Sequence, residues 1–489
     1  MIYSSFLKGC PWALLLSTFF KYQREKNMKN KVLLIILFIQ TGILLSACAD
    51  RKPNILFILV DDLGWADVGY QNPAVTETPH VDKLSKEGMV FSSAYAATVC
   101  SPSRAEILTG RSPASLKLTS HIPGVGFEEY YSKKKKALSN PQNRFWEAEM
   151  EGHLHLDEIT LAEALKAAGY KTGFFGKWHL AGAGSQKTKD GVVNMDWHPQ
   201  NQGFDVNIGG CAYGQPAGKR AYFSPYANAE LKDGPDREYL TDRLAEETIS
   251  FVTENKDTPF FAYLSLYTIH SPHNPRPLAG KPKYKGMLIS MDDAVGTVLK
   301  AIDDLGLKDN TIVIFTSDNG GSRSQKPLRG KKGQVYEGGI RVPLIYRWPD
   351  RIQSGQTDIP VASADFFPTL LEAAKVPIPN ETKRLDGISY FPLLNGDGNY
   401  TPHPVYQHFP HHRKGSLFQG ASTVRQGDWK LIWKQNNDEY LLFDLGKDIG
   451  EKNDLASEMP EKVASLKQQL HEWLKKTNAN MPRTLAEYQ

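Results

Sequence analysis

Cysteine is scarce in this sequence. The 489 residues hold four: Cys10, Cys48, Cys100 and Cys211. Cys10 lies upstream of a second candidate start at Met28, Cys48 ends a leader motif, and Cys100 opens a helix-start motif. Only Cys211 is left over, so no intramolecular disulfide is expected. A chain of this length can rely on its hydrophobic core instead. Long apolar runs are also lacking. The stretch 32–45 is broken by Gln40, Thr41 and Gly42 and is too short for a comfortable membrane span. There is no internal repeat and no low-complexity tract. Nor is there an excess of one charge. The formal net charge is +4, but the first 47 residues carry six basic side chains and one acidic, which leaves 52 basic and 53 acidic groups beyond them. That balance excludes nucleic-acid binding through bulk charge. With 40% hydrophobic and 23% charged residues the composition is that of an ordinary folded chain. Its length suits one large domain with a smaller attachment, or two to three average domains.

What is present begins with a leader. Met28 opens a short basic stretch, Lys29-Asn30-Lys31, and the apolar run follows with the size of a signal-peptide core. Residues before Met28 read as an upstream mis-start. The run ends in Leu45-Ser46-Ala47-Cys48, which resembles the bacterial lipobox, where cleavage precedes the Cys and the Cys then carries lipid. A plain cleaved signal and an uncleaved anchor are the alternatives. The expectation for residues 1–48 is a lipoprotein leader. It implies an exported protein anchored through lipid on Cys48 to the periplasmic face or cell surface (outer membrane).

The next region reads as alternating strands and helices. Residues 55–60, Ile-Leu-Phe-Ile-Leu-Val, form a continuous apolar run, the mark of a strand buried on both faces. Strands are also expected at 89–94, 172–175, 260–266 and 311–316, the last strongly buried one of the set. Helices are expected at 81–87, 159–168 and 291–305. This alternation predicts an α/β sandwich with a large, mainly parallel sheet over residues 50–398. The long intervals 123–157, 182–236 and 271–285 read as functional surface loops. Within them Lys133 to Lys136 are expected on a solvated loop face. From residue 399 to 489 the texture changes to short antiparallel strands at 405–408, 429–433 and 440–443. A closing amphipathic helix with Val463, Leu466, Leu470, Trp473 and Leu474 on one face follows. This is expected to be a small C-terminal α+β subdomain.

Four of the expected strands run into polar residues at their carboxyl ends, where open α/β sheets bind ligands. They lead to Asp61-Asp62, to Lys177 and His179, to His270, and to Asp318-Asn319. The acids and the amide offer hard oxygen ligands, which suit Ca²⁺ or Mg²⁺. Lys177, Arg104 and Lys332 add positive charge. A cation ringed by cations suits an anionic substrate whose charge is stabilised during transfer. Pro102 after Cys100 marks a helix start, where an anion is favoured and a Cys could be a low-pKa nucleophile.

The segment Cys100-Ser-Pro-Ser-Arg104-Ala-Glu-Ile-Leu-Thr-Gly110 resembles the first signature of the type I sulfatases, of the alkaline-phosphatase-like superfamily. In these the Cys is oxidised after translation to formylglycine. Gly169-Tyr-Lys-Thr-Gly-Phe-Phe-Gly-Lys-Trp-His179 resembles the second signature, with Phe175 bulkier than expected there. Leu328-Arg-Gly-Lys-Lys-Gly followed by Tyr336-Glu-Gly-Gly-Ile-Arg341 is similar to the segment that carries a catalytic Lys. Lys332 is taken over Lys331 from its distance to Tyr336-Glu337. The likeness runs from about Asn54 to the C-terminal helix.

The resemblance implies a mechanism residue by residue. Asp61, Asp62, Asp318, Asn319 and the formylglycine from Cys100 bind Ca²⁺, with Mg²⁺ the lesser candidate. The hydrated aldehyde, activated by the metal and Asp318, attacks sulfur. Lys177, Lys332 and Arg104 spread the sulfate charge, His270 protonates the departing sugar oxygen, and His179 takes the proton that releases sulfate. It also implies a formylglycine-generating maturation enzyme as partner. The substrate expected is a sulfated saccharide of host or algal glycans, attacked from an end, as in glycan-degrading Bacteroidetes. His273, Arg276, His408, His411 and Arg413 are candidate sugar-binding residues, with surface or interdomain roles as the alternative. Two rival functions remain: a phosphatase or phosphodiesterase of the same superfamily, which would show a Ser or Thr nucleophile and zinc ligands, and a non-catalytic surface protein that binds sulfated glycan.

Overall fold

The computed structural model describes residues 51–137, 146–182, 195–277, 282–349, 351–398, 400–412 and 419–484. The leader with Cys48, and Arg413, lie outside them. Among the described residues no helix is long and apolar enough to cross a membrane.

Among the described residues the strands, in chain order, are β1 (Asn54–Val60), β2 (Met89–Tyr95), β3 (Trp146–Glu147), β4 (Lys171–Gly176), β5 (Val206–Ile208), β6 (Phe260–Leu266), β7 (Thr311–Ser317), β8 (Arg341–Arg347), β9 (Gly355–Thr357), β10 (Val361–Ala362), β11 (Val405–His412), β12 (Gln419–Gln426), β13 (Trp429–Lys434), β14 (Glu439–Asp444) and β15 (Arg483–Thr484). Nine of them form one sheet in the order β10-β2-β8-β7-β1-β6-β4-β5, with β9 beside β2. Its centre is parallel: β1 pairs β6 and β7, and β4 pairs β6 and β5. Only β8 runs antiparallel to its neighbours β7 and β2.

The apolar run of β1 explains its place. Ile55, Phe57 and Leu59 join the core on one face, and Leu56, Ile58 and Val60 join the core on the other. A strand covered on both faces has no polar side to show, which is why it reads as unbroken hydrophobicity. Helices supply the covers. α1 (Pro79–Glu87), α4 (Leu240–Glu254) and α5 (Lys283–Asp304) contribute to one layer, while α2 (Cys100–Thr109), α3 (Leu161–Ala167) and α6 (Phe366–Ala373) contribute to the other. Helix α3 starts where Thr160 and Glu163 cap each other reciprocally: the Glu163 amide donates to Thr160 Oγ1 at 3.1 Å, and the Thr160 amide to Glu163 Oε2 at 2.7 Å. Helix α2 stops at Gly110, whose left-handed backbone (φ 67°) lets its amide close on the Glu106 carbonyl.

The second sheet is antiparallel, in the order β14-β13-β12-β11-β3-β15. Helix α7 (Pro460–Lys476) lays Leu466, Leu470 and Leu474 on Val424, Leu431 and Leu442, with Val463 and Trp473 at the margin. The sheet is not built from the C-terminal region alone, because β3 comes from residues 146–147 and pairs with both β11 and β15.

Several expectations need correction. β7 is not the last strongly buried strand, since β8 is buried along its whole length. Pro343 inside it hid the signal. Helix α5 begins at Lys283 rather than 291, because its first turn is polar, and α4 occupies a stretch for which no helix was expected. Lysines 133–136 lie in the helix Phe127–Ala137, not on a loop.

Candidate active site

The parallel pairing puts the carboxyl ends of β1, β4, β6 and β7 at one edge of the sheet. Val60 is in register with Leu266 and Ser317, and Gly176 with Ser265. The residues that follow these strands therefore meet. Asp61, Lys177, Asp318 and Asn319 are fully buried, Asp62 nearly so. Helix α2 aims its N-terminus at the same point. Cys100 Sγ lies 3.6 Å from Asp61 Oδ1 and 3.1 Å from Lys332 Nζ.

Each acid has a cation. Lys177 Nζ donates to Asp61 Oδ2 at 2.6 Å, Lys332 pairs with Asp62 Oδ1, and Arg104 donates to Asp318 Oδ2. Burial, reinforced by Asp318, raises the Asp61 carboxyl to about 7 despite Lys177. Burial would raise Asp62 as well, but Lys332 and Lys177, with the Asn319 hydrogen bond, hold it well below the usual range. Asp318 is lowered against burial by Arg104 and Lys177. Burial pushes the Cys100 thiol up to about 11, more than the two lysines can offset. The low-pKa thiolate allowed by the sequence is therefore not what this pocket makes.

The donor set fits a divalent cation. One ligand atom each from Asp61, Asp62, Cys100 and His270 lies within 4.8 Å of the others. Asn319 Nδ2 donates to Asp62 Oδ1 at 2.9 Å, and its Oδ1 is buried without a partner. An orphaned amide oxygen beside clustered carboxylates is costly in a dry site and is what a hard cation satisfies. Asp318, expected among the ligands, keeps Oδ1 towards the Asp62 amide at 3.2 Å.

Two of the histidines that line the cavity, His179 and His270, have fixed tautomers. His179 Nε2 lies 3.0 Å from the Ile122 carbonyl, which can only accept, so Nδ1 carries the lone pair; it is buried and unpartnered. Burial and Lys177 hold this imidazole well below its ordinary range, hence neutral. His270 Nδ1 donates to the Ser271 carbonyl at 2.6 Å, which turns Nε2 towards Asp62 Oδ2 at 3.9 Å. Burial, with Lys177 and Lys332, lowers it to about 3 against the pull of Asp62. Asp62 and His179 both take left-handed backbone (φ 65° and 59°), an uncommon conformation for such residues that clusters at functional sites.

The cavity holds about 350 Å³ and is lined by Cys100, His179, His270 and Lys332, together with His121, Gly214 and Gln215. No sequence signal marked the last three. Of the two candidate lysines, Lys332 faces Cys100 while Lys331 is exposed. Arg104 is expected on the sulfate, but its guanidinium is spent on Asp318, the Lys177 carbonyl and Ser265 Oγ. The sugar-binding candidates scatter. His273 is half-buried against Tyr284, its Nε2 without a partner. Arg276 is paired with Asp242 and Asp293. His408 is enclosed by Ser422 Oγ and the Asn480 carbonyl, and His411 by Glu147 and Thr119. Both histidines are buried structural members of the second sheet and do not reach the cavity, which corrects their expected role.

Comparison with known proteins gives a consistent picture. Residues 53–376 match the family model described as Sulfatase, and residues 331–480 match the one described as N-sulphoglucosamine sulphohydrolase, C-terminal. The chain is 30% identical to a sulfatase of Formosa agariphila over 88% of this chain and 90% of that one. It is 32% identical to human arylsulfatase A over 86% of this chain and 87% of the relative. The crystal structure of Ps i-CgsB superposes with a TM-score of 0.71 at 28% identity, covering 87% of this chain and 93% of that one. The same protein in complex with k-i-k-neocarrahexaose gives 0.70 at 27%, with the same coverage.

Proposed function

This chain belongs to the sulfatase family and is a sulfuric ester hydrolase, and we propose that it desulfates saccharides through a formylglycine made from Cys100 beside a bound Ca²⁺. The observation that carries the reading is the placement of Cys100 at a helix N-terminus, 3.6 Å from Asp61 and 3.1 Å from Lys332, buried in the wall of the cavity. Asp61, Asp62 and Asn319, with Asp318 behind them, would hold the ion. When bound, the ion supplies positive charge against the sulfate oxygens and lowers the cost of ionising the hydrated aldehyde.

The chain's own groups supply the rest. Lys177 on Asp61 and Lys332 on Asp62 and Cys100 put two ammonium groups beside the reacting position, where they would neutralise charge on the sulfate oxygens. His179 offers a neutral lone pair at Nδ1 for the proton whose removal expels sulfate. His270 is neutral, and an anion beside Nε2 raises its affinity for the proton that the sugar oxygen needs on departure. Arg104 works from behind by fixing Asp318.

A pocket of about 350 Å³ suits a terminal saccharide unit, which favours action on chain ends. The saccharide complex of the similar Ps i-CgsB supports a saccharide substrate. Galactose or hexosamine sulfates of host or algal glycans are the proposed units. The leader reading adds export, a lipid on Cys48 and attachment to the outer membrane, and a formylglycine-generating enzyme as maturation partner.

The test is direct. Produced with a maturation enzyme, the peptide containing Cys100 changes mass to that of the aldehyde, and the protein cleaves an aryl sulfate in preference to an aryl phosphate. An unmodified Cys100 with aryl phosphate preferred would overturn the proposal, and a panel of defined sulfated monosaccharides then assigns the sugar.

A further inference from the structure

We propose, resting on the sulfatase reading, that the C-terminal sheet is part of the catalytic apparatus: Lys430 and Glu451 are positioning residues that set Lys332 by clamping the turn at Glu337.

Glu337, Lys430 and Glu451 are all buried, with side chains 0%, 1% and 0% exposed. Lys430, on β13, donates to Glu337 Oε1 at 2.8 Å and lies 2.8 Å from Glu451 Oε1. The other Glu451 oxygen accepts the Glu337 backbone amide at 2.7 Å. Glu337 Oε2 in turn accepts from Tyr95 Oη and Arg341 Nε, each at 2.7 Å. Glu451 also holds the far end of the same loop, because its backbone carbonyl accepts from Arg329 Nη1 at 2.7 Å. The Arg329 guanidinium lies 4.0 Å over the Tyr336 ring. Residues 329–337, which carry Lys332 at their middle, are thus gripped at both ends by one glutamate of the C-terminal region.

The grip reaches the catalytic atoms through a backbone with no slack. The Gly338 amide donates to the Arg329 carbonyl at 2.7 Å, the Lys332 amide to Gly321 at 2.9 Å, and the Gly320 amide to Gly339 at 3.1 Å. A Cβ on Gly339 would stand 2.0 Å from the Gln334 carbonyl and 2.6 Å from that of Lys331, and one on Gly320 would stand 2.3 Å from the Gly338 carbonyl. The turn is wedged between the segment that bears Lys332 and the segment that bears Asn319, so a shift of Glu337 passes to both.

A purely stabilising role is a poor account of this cluster. A buried ammonium with two carboxylates is costly to desolvate, and well-packed apolar side chains stabilise as well or better. What a multiply bonded charge cluster provides is one fixed geometry, and a fixed Lys332 is what the pocket needs.

The test uses the full-length, matured enzyme and Lys430→Met, with Lys430→Arg as the conservative variant and Glu451→Gln as the isosteric one. The reading is the competitive inhibition constant of inorganic sulfate against an aryl sulfate, which does not depend on the fraction of active enzyme. Lys430→Met is expected to raise that constant roughly tenfold and Lys430→Arg less, and on a Lys332→Ala background, where sulfate affinity is read by calorimetry, Lys430→Met is expected to weaken binding less than about twofold, because the two act through one group. The proposal is overturned if only the thermal midpoint falls while the constant and KM stay put, or if the effect is undiminished on Lys332→Ala. If Lys430→Met does not fold, Glu451→Gln carries the same comparison. Absence of activity in the unaltered enzyme would sink the sulfatase reading alone; sulfate binding by calorimetry would still decide the role of Lys430.

Discussion

Arg104 gives two donors to one oxygen of Asp318: Nε at 2.9 Å and Nη2 at 2.7 Å both reach Oδ2. Its remaining nitrogen, Nη1, is held by the Lys177 carbonyl at 2.6 Å and Ser265 Oγ at 2.7 Å. The guanidinium therefore ties α2, β4, β6 and the end of β7 into one unit, and it is 2% exposed.

Arg104→Met leaves Asp318 charged and buried with its principal partner gone. The expected loss of stability is about 3–5 kcal/mol, as for other broken buried pairs. Urea denaturation checks it, and activity should vanish with the fold intact at low temperature. Arg104→Lys keeps the charge, but its compact ammonium cannot span the acceptors spread around the planar guanidinium, so a smaller loss is expected.

Removal of divalent ions with a chelator should abolish aryl sulfatase activity and lower the thermal midpoint, with both restored by Ca²⁺. An ion present at about 100 times its Kd stabilises by roughly 2.7 kcal/mol. Asp62→Asn should raise the Ca²⁺ concentration needed for that recovery. An unchanged midpoint after chelation would count against the ion site.

Gly214 lies against the His179 ring, where an added Cβ would be 2.5 Å from Cε1 and 2.6 Å from Nε2. Gly214→Ala should displace the imidazole from the Ile122 carbonyl. Overpacking of this kind costs about 1–3 kcal/mol. Here the expected loss is at least tenfold in kcat/KM, which corresponds to about 1.4 kcal/mol. Circular dichroism should show the fold retained.

His403 reports on pH away from the cavity. Nε2 lies 3.0 Å from both oxygens of Asp365. Burial opposes its charge, but Asp365 wins and raises the imidazole above its ordinary 6.5. A raised value in the folded state means that the native protein holds the proton more tightly. The stabilisation is complete below about pH 6.5 and is lost as pH climbs through the raised value. His403→Gln should therefore cost roughly 1.5–3 kcal/mol at pH 5.5 and progressively less above neutrality. Thermal midpoints across pH 5–9 measure it.

Where the chain carries a strong local signal, sequence and structure coincide. β1, β6 and β7 announce themselves as unbroken apolar runs because both of their faces are covered, and the polar residues just past their ends are the ones the parallel register brings together. Signals fail where tertiary context decides. Pro343 interrupts β8, and β12, a mostly polar string, carries no strand signal of its own although β11 and β13 flank it. The histidines 408 and 411 look like ligands in sequence, yet Ser422, Asn480, Glu147 and Thr119 consume their hydrogen bonds. Arg104 looks like a sulfate-binding arginine and proves to be a brace. Gly214 and Gln215 enter the cavity from a long loop whose path no periodicity encodes.

Strand β3 sets the order in which this protein can be completed. Glu147 closes onto His411 at 2.6 Å across 264 residues of chain, and the last strand seals the other side of the same two-residue segment. A nascent polypeptide emerging from the ribosome must keep residues 146–147 waiting until nearly all of its length has been synthesised. A cut near residue 398 would accordingly yield two pieces with raw, sticky sheet edges rather than two soluble modules.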